Sequence, residues 1–135
     1  MPLPSLLAGL PAFLLYFVLG LALLAAFLGI YLAVTPYKEI ALIREGNTAA
    51  AISLGGATLG YVLPLARAIA QSVSVPDMLI WGVIALIAQV VVYFVVAKAV
   101  PRFPEAIKAG RVSGATFLAA LAIATGVLNA AAMTS

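Results

Sequence analysis

Four stretches of this sequence are long and apolar enough to cross a lipid bilayer, and none carries a charge near its centre. They run over roughly residues 12–34, 48–70, 78–97 and 112–133. A spanning helix needs about 20 mostly apolar residues. With no water in the hydrocarbon, every backbone polar group must be paired within the protein, which leaves helices or closed barrels. The four runs are continuous rather than alternating, and they are too few for a barrel. The chain therefore reads as an all-α, polytopic membrane protein with four transmembrane helices, and residues 1–135 form a single membrane domain. Composition agrees: 66% of the chain is hydrophobic and 8% charged, against about a quarter charged in soluble domains.

Several chemistries are excluded at once. The chain has no Cys and no His. Disulfides, thiol nucleophiles, thiolate or imidazole metal ligands and His acid–base catalysis are absent with them. No nucleotide loop, carboxylate pair or nucleophile–base arrangement is present. We expect no catalytic residue, no cofactor and no metal. Glu39, Glu45 and Glu105 lie in loops among basic neighbours, Glu105 with Arg102 and Lys108 three residues to either side at ion-pair spacing, and no catalytic role is expected of them. A net charge of +3 is too small and too localised to suggest nucleic acid. Met1 to Leu10 contains no positive residue, so the first apolar run reads as a retained helix rather than a signal peptide.

Orientation follows from the basic residues of the short loops. Lys38 and Arg44 lie in the first loop, and Lys98, Arg102, Lys108 and Arg111 lie in or beside the third. Only Arg67 lies near the second. The basic side is expected to be cytoplasmic, with both termini periplasmic. The same residues are candidate contacts for anionic lipid.

Both basic loops carry the same punctuation. In the first, Thr35 is positioned to cap a short helix that begins at Pro36 and ends at Gly46. In the third, Pro101 and Pro104 precede a segment ending at Gly110. The endings Ile43-Arg44-Glu45-Gly46 and Ile107-Lys108-Ala109-Gly110 match in type. Two short interfacial helices are predicted, with Tyr37 and Phe103 anchoring them at the surface. The chain then reads as two tandem hairpins, with a possible repeat relating residues 12–70 to 78–133.

The second and fourth spans are rich in small residues. Gly56 and Gly60 form a GxxxG pair, and Ala119, Ala122 and Gly126 recur at helical spacing. Small residues let helix backbones approach closely in lipid. These positions are candidates either for an oligomer seam or for packing within the four-helix unit. The first span, rich in Leu and Phe, is expected to face lipid. Pro64 is expected to kink the second span or end it early. Four polar residues lie within or at the ends of spans: Asn47, Thr58, Gln89 and Asn129. Leaving them in lipid is costly, so they read either as interhelical hydrogen bonds or as the lining of a pore. Arg67, Tyr61 and Trp81 suit interfacial positions. Asp77 is expected to cap the third span or to pair with Arg67.

The run from Thr35 to Ala51, with its Ile43-Arg44-Glu45-Gly46-Asn47-Thr48-Ala49-Ala50 core, is similar to the YjfL family. So are Gly55-Gly56, Pro64-Leu65-Ala66, Trp81 with Gln89, and Gly126 to Ala131. The resemblance covers nearly the whole chain. It implies a small bacterial inner-membrane protein of no assigned activity. Relatives are often encoded near membrane-stress proteins, which implies an envelope role. They often carry Cys before the final Met, where this chain has Ala132. The expected function is a non-enzymatic membrane component that forms a homo-oligomer or joins a larger membrane complex. The alternative is a small oligomeric channel or transporter lined by Asn47, Thr58, Gln89 and Asn129.

Overall fold

The computed structural model describes residues 3–133, with the backbone alone for Leu6. Met1, Pro2, Thr134 and Ser135, the extreme termini expected on the periplasmic side, lie outside the described residues. Seven helices follow in order: α1 (Leu3–Leu7), α2 (Leu10–Val34), α3 (Glu39–Arg44), α4 (Thr48–Gln71), α5 (Val75–Ala99), α6 (Phe103–Lys108) and α7 (Val112–Ala132). No strand occurs among the described residues. α2, α4, α5 and α7 coincide with the four predicted spans to within a few residues, and each is apolar and long enough to cross a membrane.

The two short helices end in the same way. Gly46 and Gly110 adopt left-handed backbone, with φ of 87° and 78°, a conformation that side-chain-bearing residues rarely take. The Gly46 N–H donates to the Ile43 carbonyl at 2.9 Å, and the Asn47 N–H to the Leu42 carbonyl at 2.9 Å. The Gly110 and Arg111 N–H groups do the same to Ile107 and Ala106, at 3.0 and 2.9 Å. This paired closure satisfies the last carbonyls of each short helix and turns the chain into the next span.

The starts differ from expectation. Thr35 is the C-cap of α2 rather than the N-cap of α3, and α3 begins only at Glu39. α6 begins after Arg102, the one non-glycine residue with positive φ (54°) among those described. Tyr37 and Phe103 do not anchor an outer surface. Both are buried in the core, because α3 and α6 fold back against the ends of the spans. At the opposite end, Ser74 rather than Asp77 caps α5: its hydroxyl accepts the Asp77 N–H at 3.3 Å. Asp77 in turn accepts the Val73 N–H at 3.4 Å. Together these bonds tie off a tight turn.

The core is built by α4, α5 and α7, and the most extensive contact joins α4 to α7. The principal seam therefore lies between the second helices of the two predicted hairpins. Contacts pair Gly56 with Ala119 and Gly60 with Ala122 and Gly126. The numbers rise together, so α4 and α7 run parallel. α2 is peripheral. Only Gly20, Phe27 and Tyr31 of that helix are buried, and its large side chains Phe13, Leu14, Phe17, Val18 and Leu21 point outward. Outward apolar side chains cost nothing against lipid tails, which fits the lipid-facing role expected of this span.

Candidate functional site

The α4–α7 seam gathers most of the sequence candidates. An L side chain at Gly60 would put its Cβ against the Ala122 carbonyl oxygen, 2.7 Å from the carbonyl carbon and 2.8 Å from Gln89 Nε2. At Gly126 it would meet the Gly60 carbonyl oxygen, with the Gly60 Cα at 2.9 Å. At Gly56 it would meet Ala119. Glycine carries a hydrogen where the Cβ would stand. The Gly60 Cα–H thus faces the Ala122 carbonyl, and the Gly126 Cα–H faces the Gly60 carbonyl. Contacts of this kind are worth about 0.5–1 kcal/mol each.

Pro64 explains why the Gly60 carbonyl is free to be met. In a helix that carbonyl would accept the N–H four residues on, and proline has none. α4 runs on past Pro64 to Gln71, so the proline does not end the helix early. It frees an acceptor at the closest approach of two helices.

Gln89 lies over the same crossing. Its side chain is buried, and Nε2 donates to the Ala122 carbonyl at 3.0 Å. Its Oε1 is buried without a hydrogen-bond partner. Asn47 does two things. Its Oδ1 accepts the Ala50 N–H at 2.9 Å as the N-cap of α4, and its Nδ2 donates to the Ile107 carbonyl at 2.9 Å. One side chain thus caps α4 and ties it to the end of α6. The Asn47→Ala variant should lose both bonds, about 1–2 kcal/mol in thermal unfolding. Asn47→Asp keeps the cap acceptor and should lose less. Thr58 returns its hydroxyl to the Leu54 carbonyl at 2.8 Å within α4. Asn129 is half-buried in the last turns of α7. The structure thus brings Gly56, Gly60, Ala119, Ala122, Gly126 and Gln89 together, and it leaves Asn47, Thr58 and Asn129 at separate places.

Tyr61 also departs from expectation. It is fully buried rather than in an interfacial belt. Its ring stacks on Phe27 at 4.4 Å, 7° from parallel, and its hydroxyl donates to the Gly82 carbonyl at 3.1 Å. It therefore joins α2, α4 and α5.

The second constellation was not anticipated. Glu39, by sequence a loop residue among basic neighbours, is 1% exposed. Its Oε1 accepts a 2.6 Å hydrogen bond from the Thr35 hydroxyl, and its Oε2 is buried without a partner. Around it stand Tyr31 from α2, Tyr37 from the connecting loop and Tyr93 from α5, all buried. The Tyr31 and Tyr93 rings meet edge-on at 5.7 Å, and Phe103 of α6 closes against Tyr93 at 6.1 Å. The Tyr31 and Tyr37 hydroxyls are likewise buried and unpaired, although the Tyr37 hydroxyl lies beside that of Tyr93.

Burial holds the Glu39 carboxyl above the usual carboxylate range, opposed by the Thr35 hydroxyl and by its own backbone N–H. Burial also pushes the Tyr37 phenol up, with Tyr93, Tyr31 and Glu39 adding to the shift. No cation contributes to the Glu39 environment, and Lys38 beside it in the chain is exposed. A buried carboxyl with no cation beside it favours its neutral form. Among the described residues no group of three His, Cys, Asp or Glu side chains is placed to hold a metal ion.

Comparison with known proteins places the chain. It is 42% identical over 123 residues, covering 91% of this chain and 93% of the relative, to the UPF0719 inner membrane protein YjfL of Escherichia coli (strain K12). It is 33% identical over 88 residues to the UPF0719 transmembrane protein YshE of Bacillus subtilis (strain 168), covering 65% of this chain and 66% of that one. No solved structure matches it. Residues 5–133, which contain the four spans, the glycine seam and the buried Glu39 cluster, match a single family throughout. The chain is an inner-membrane protein of the family described as Domain of Unknown Function (DUF350).

Proposed function

We propose that this protein is a non-catalytic component of the bacterial inner membrane that assembles with copies of itself or with a larger complex in the service of the envelope. The carrying observation is how the chain uses its close-packing surface. Gly56, Gly60 and Gly126 are filled by α7 and α4 of the same chain. They are no longer open to a second protomer, so the assembly surface moves to the peripheral α2. A pore through one protomer gains little support, because Asn47 and the Gln89 amide N–H are engaged in capping and helix-to-helix bonds and the Thr58 hydroxyl is returned to its own helix. The six basic residues of the first and third loops place that end in the cytoplasm in this reading, with anionic lipid as their partner.

The chain's lack of cysteine makes the test direct. Val18→Cys, on the outward face of α2, should cross-link to a dimer with a bifunctional maleimide in native membranes. Leu128→Cys, equally open on α7, should remain a monomer. Val73→Cys, in the α4–α5 turn, should react with an impermeant maleimide on intact spheroplasts, and Glu45→Cys only after lysis. A Val18→Cys variant that stays monomeric would count against α2 as the seam.

A further inference from the structure

We propose that Glu39, Thr35, Tyr31 and Tyr37 form a binding site for one alkali cation at the basic end of the bundle. The argument begins with atoms that have no partner. Glu39 Oε2, Tyr31 Oη and Tyr37 Oη are all buried and unpaired; the two phenols lie within electrostatic reach of the carboxyl, the Tyr37 hydroxyl beside that of Tyr93. Their residues are 1%, 1% and 3% exposed. Leaving one buried polar atom unsatisfied costs about 1–3 kcal/mol. Three in one place point to a shared guest.

The chemistry of the set narrows that guest. Every donor is oxygen: a carboxylate, two phenols and the Thr35 hydroxyl, with the Tyr37 carbonyl 3.4 Å from the last. Oxygen ligands suit hard cations rather than the metals that choose sulfur or imidazole. The set holds one carboxylate and no cationic side chain, so a single positive charge neutralises it. A divalent ion would leave a buried charge uncompensated, at a cost of several kcal/mol. Thr35 donates to Oε1 and so leaves Oε2 to face the guest. A shallow groove lined by Leu32, Pro36, Lys38 and Ile40 runs from the surface to Thr35, Tyr37 and Glu39. The site competes with the proton for the same carboxylate: protonated Glu39 releases the cation, and ionised Glu39 takes it.

The test uses the purified full chain in detergent at a pH well above the ordinary carboxyl range. Sodium chloride replaces N-methylglucamine chloride at constant ionic strength, and unfolding is followed by the fluorescence of the single Trp81. A ligand that binds only the folded state raises the midpoint with its concentration. A saturable rise of about 10 °C is expected at hundredfold excess over the dissociation constant, with potassium giving a different half-saturating concentration. Glu39→Gln should abolish the rise. Tyr37→Phe, which keeps the ring and removes one oxygen, should shift the half-saturating sodium concentration about tenfold upward, whereas its N-methylglucamine midpoint should not fall, because the hydroxyl it removes is buried and unpaired there. Identical curves in the two salts would overturn the proposal, as would a rise that survives Glu39→Gln. A midpoint that responds to pH but not to sodium would assign the cluster to the proton alone, and would overturn it equally.

Discussion

Gly60→Leu should unfold the protein before it changes its assembly. The reason is that the obstacle at Gly60 is backbone. A Cβ there meets the Ala122 carbonyl, and a main-chain carbonyl in mid-helix cannot rotate aside as a side chain can. The two helices would have to separate, which would release the paired Cα–H contacts and move the Gln89 amide off the Ala122 carbonyl. Overpacking of this kind costs about 3 kcal/mol or more, and even Gly60→Ala should cost a large part of it. Gly55→Ala is the control. An added Cβ at Gly55 meets nothing within 4 Å, and alanine is the better helix former, so its midpoint should hold or rise. Thermal unfolding by Trp81 fluorescence, paired with native mass spectrometry, separates the two readings of the glycines. A Gly60→Leu protein of unchanged midpoint and lowered mass would restore the intermolecular seam. A lowered midpoint with the mass of the surviving folded fraction unchanged would support the seam within the chain.

The second large effect is on pH. The Glu39 carboxyl is raised in the folded protein by burial, while in the unfolded chain it returns to the ordinary range near 4.3. Its neutral form therefore stabilises the fold fully below that ordinary value. The contribution is lost as pH climbs through the raised one. The titratable groups facing it are Tyr31 from α2, Tyr37 from the loop and Tyr93 from α5, and no cation offsets the lost proton. Unfolding midpoints taken from about pH 4 to pH 9 in N-methylglucamine should fall as pH rises. Glu39→Gln, which keeps shape and neutrality, should remove that part of the slope. A wild-type midpoint that climbs with pH over this window would mean that the carboxyl is ionised and satisfied in the fold.

The two sites differ in how far the sequence discloses them. Length and apolarity alone locate the spans, because the bilayer imposes both. The small residues disclose the face by which α4 packs, since Gly56 and Gly60 are four apart on one side. They do not disclose the partner. A stripe of glycines is satisfied equally by another chain or by α7, and that choice depends on the paths of α5 and α6 between them. Glu39 was hidden for a different reason. Lys38 and Arg44 beside it suggest a solvated segment, whereas its burial depends on Tyr31, eight residues earlier, and Tyr93, far later in the chain. Only the fold brings those rings to it. Thr35 misled in the same way, being a plausible cap by sequence and a hydrogen-bond donor to a buried carboxyl in fact.

The placing of the main seam between the second and the last span also sets the order in which the protein can be completed during synthesis. At about 5–20 residues per second, the residues that close on Gly60 follow it by about 3–12 s. For that interval α4 is in the bilayer with its glycine face and its proline-freed carbonyl unmatched. A chain cut short before Val112 would keep that exposed notch permanently. The same notch that the finished protein seals is then a mark of the unfinished one, legible to any membrane protease or insertase that samples helices by the closeness with which they can be approached.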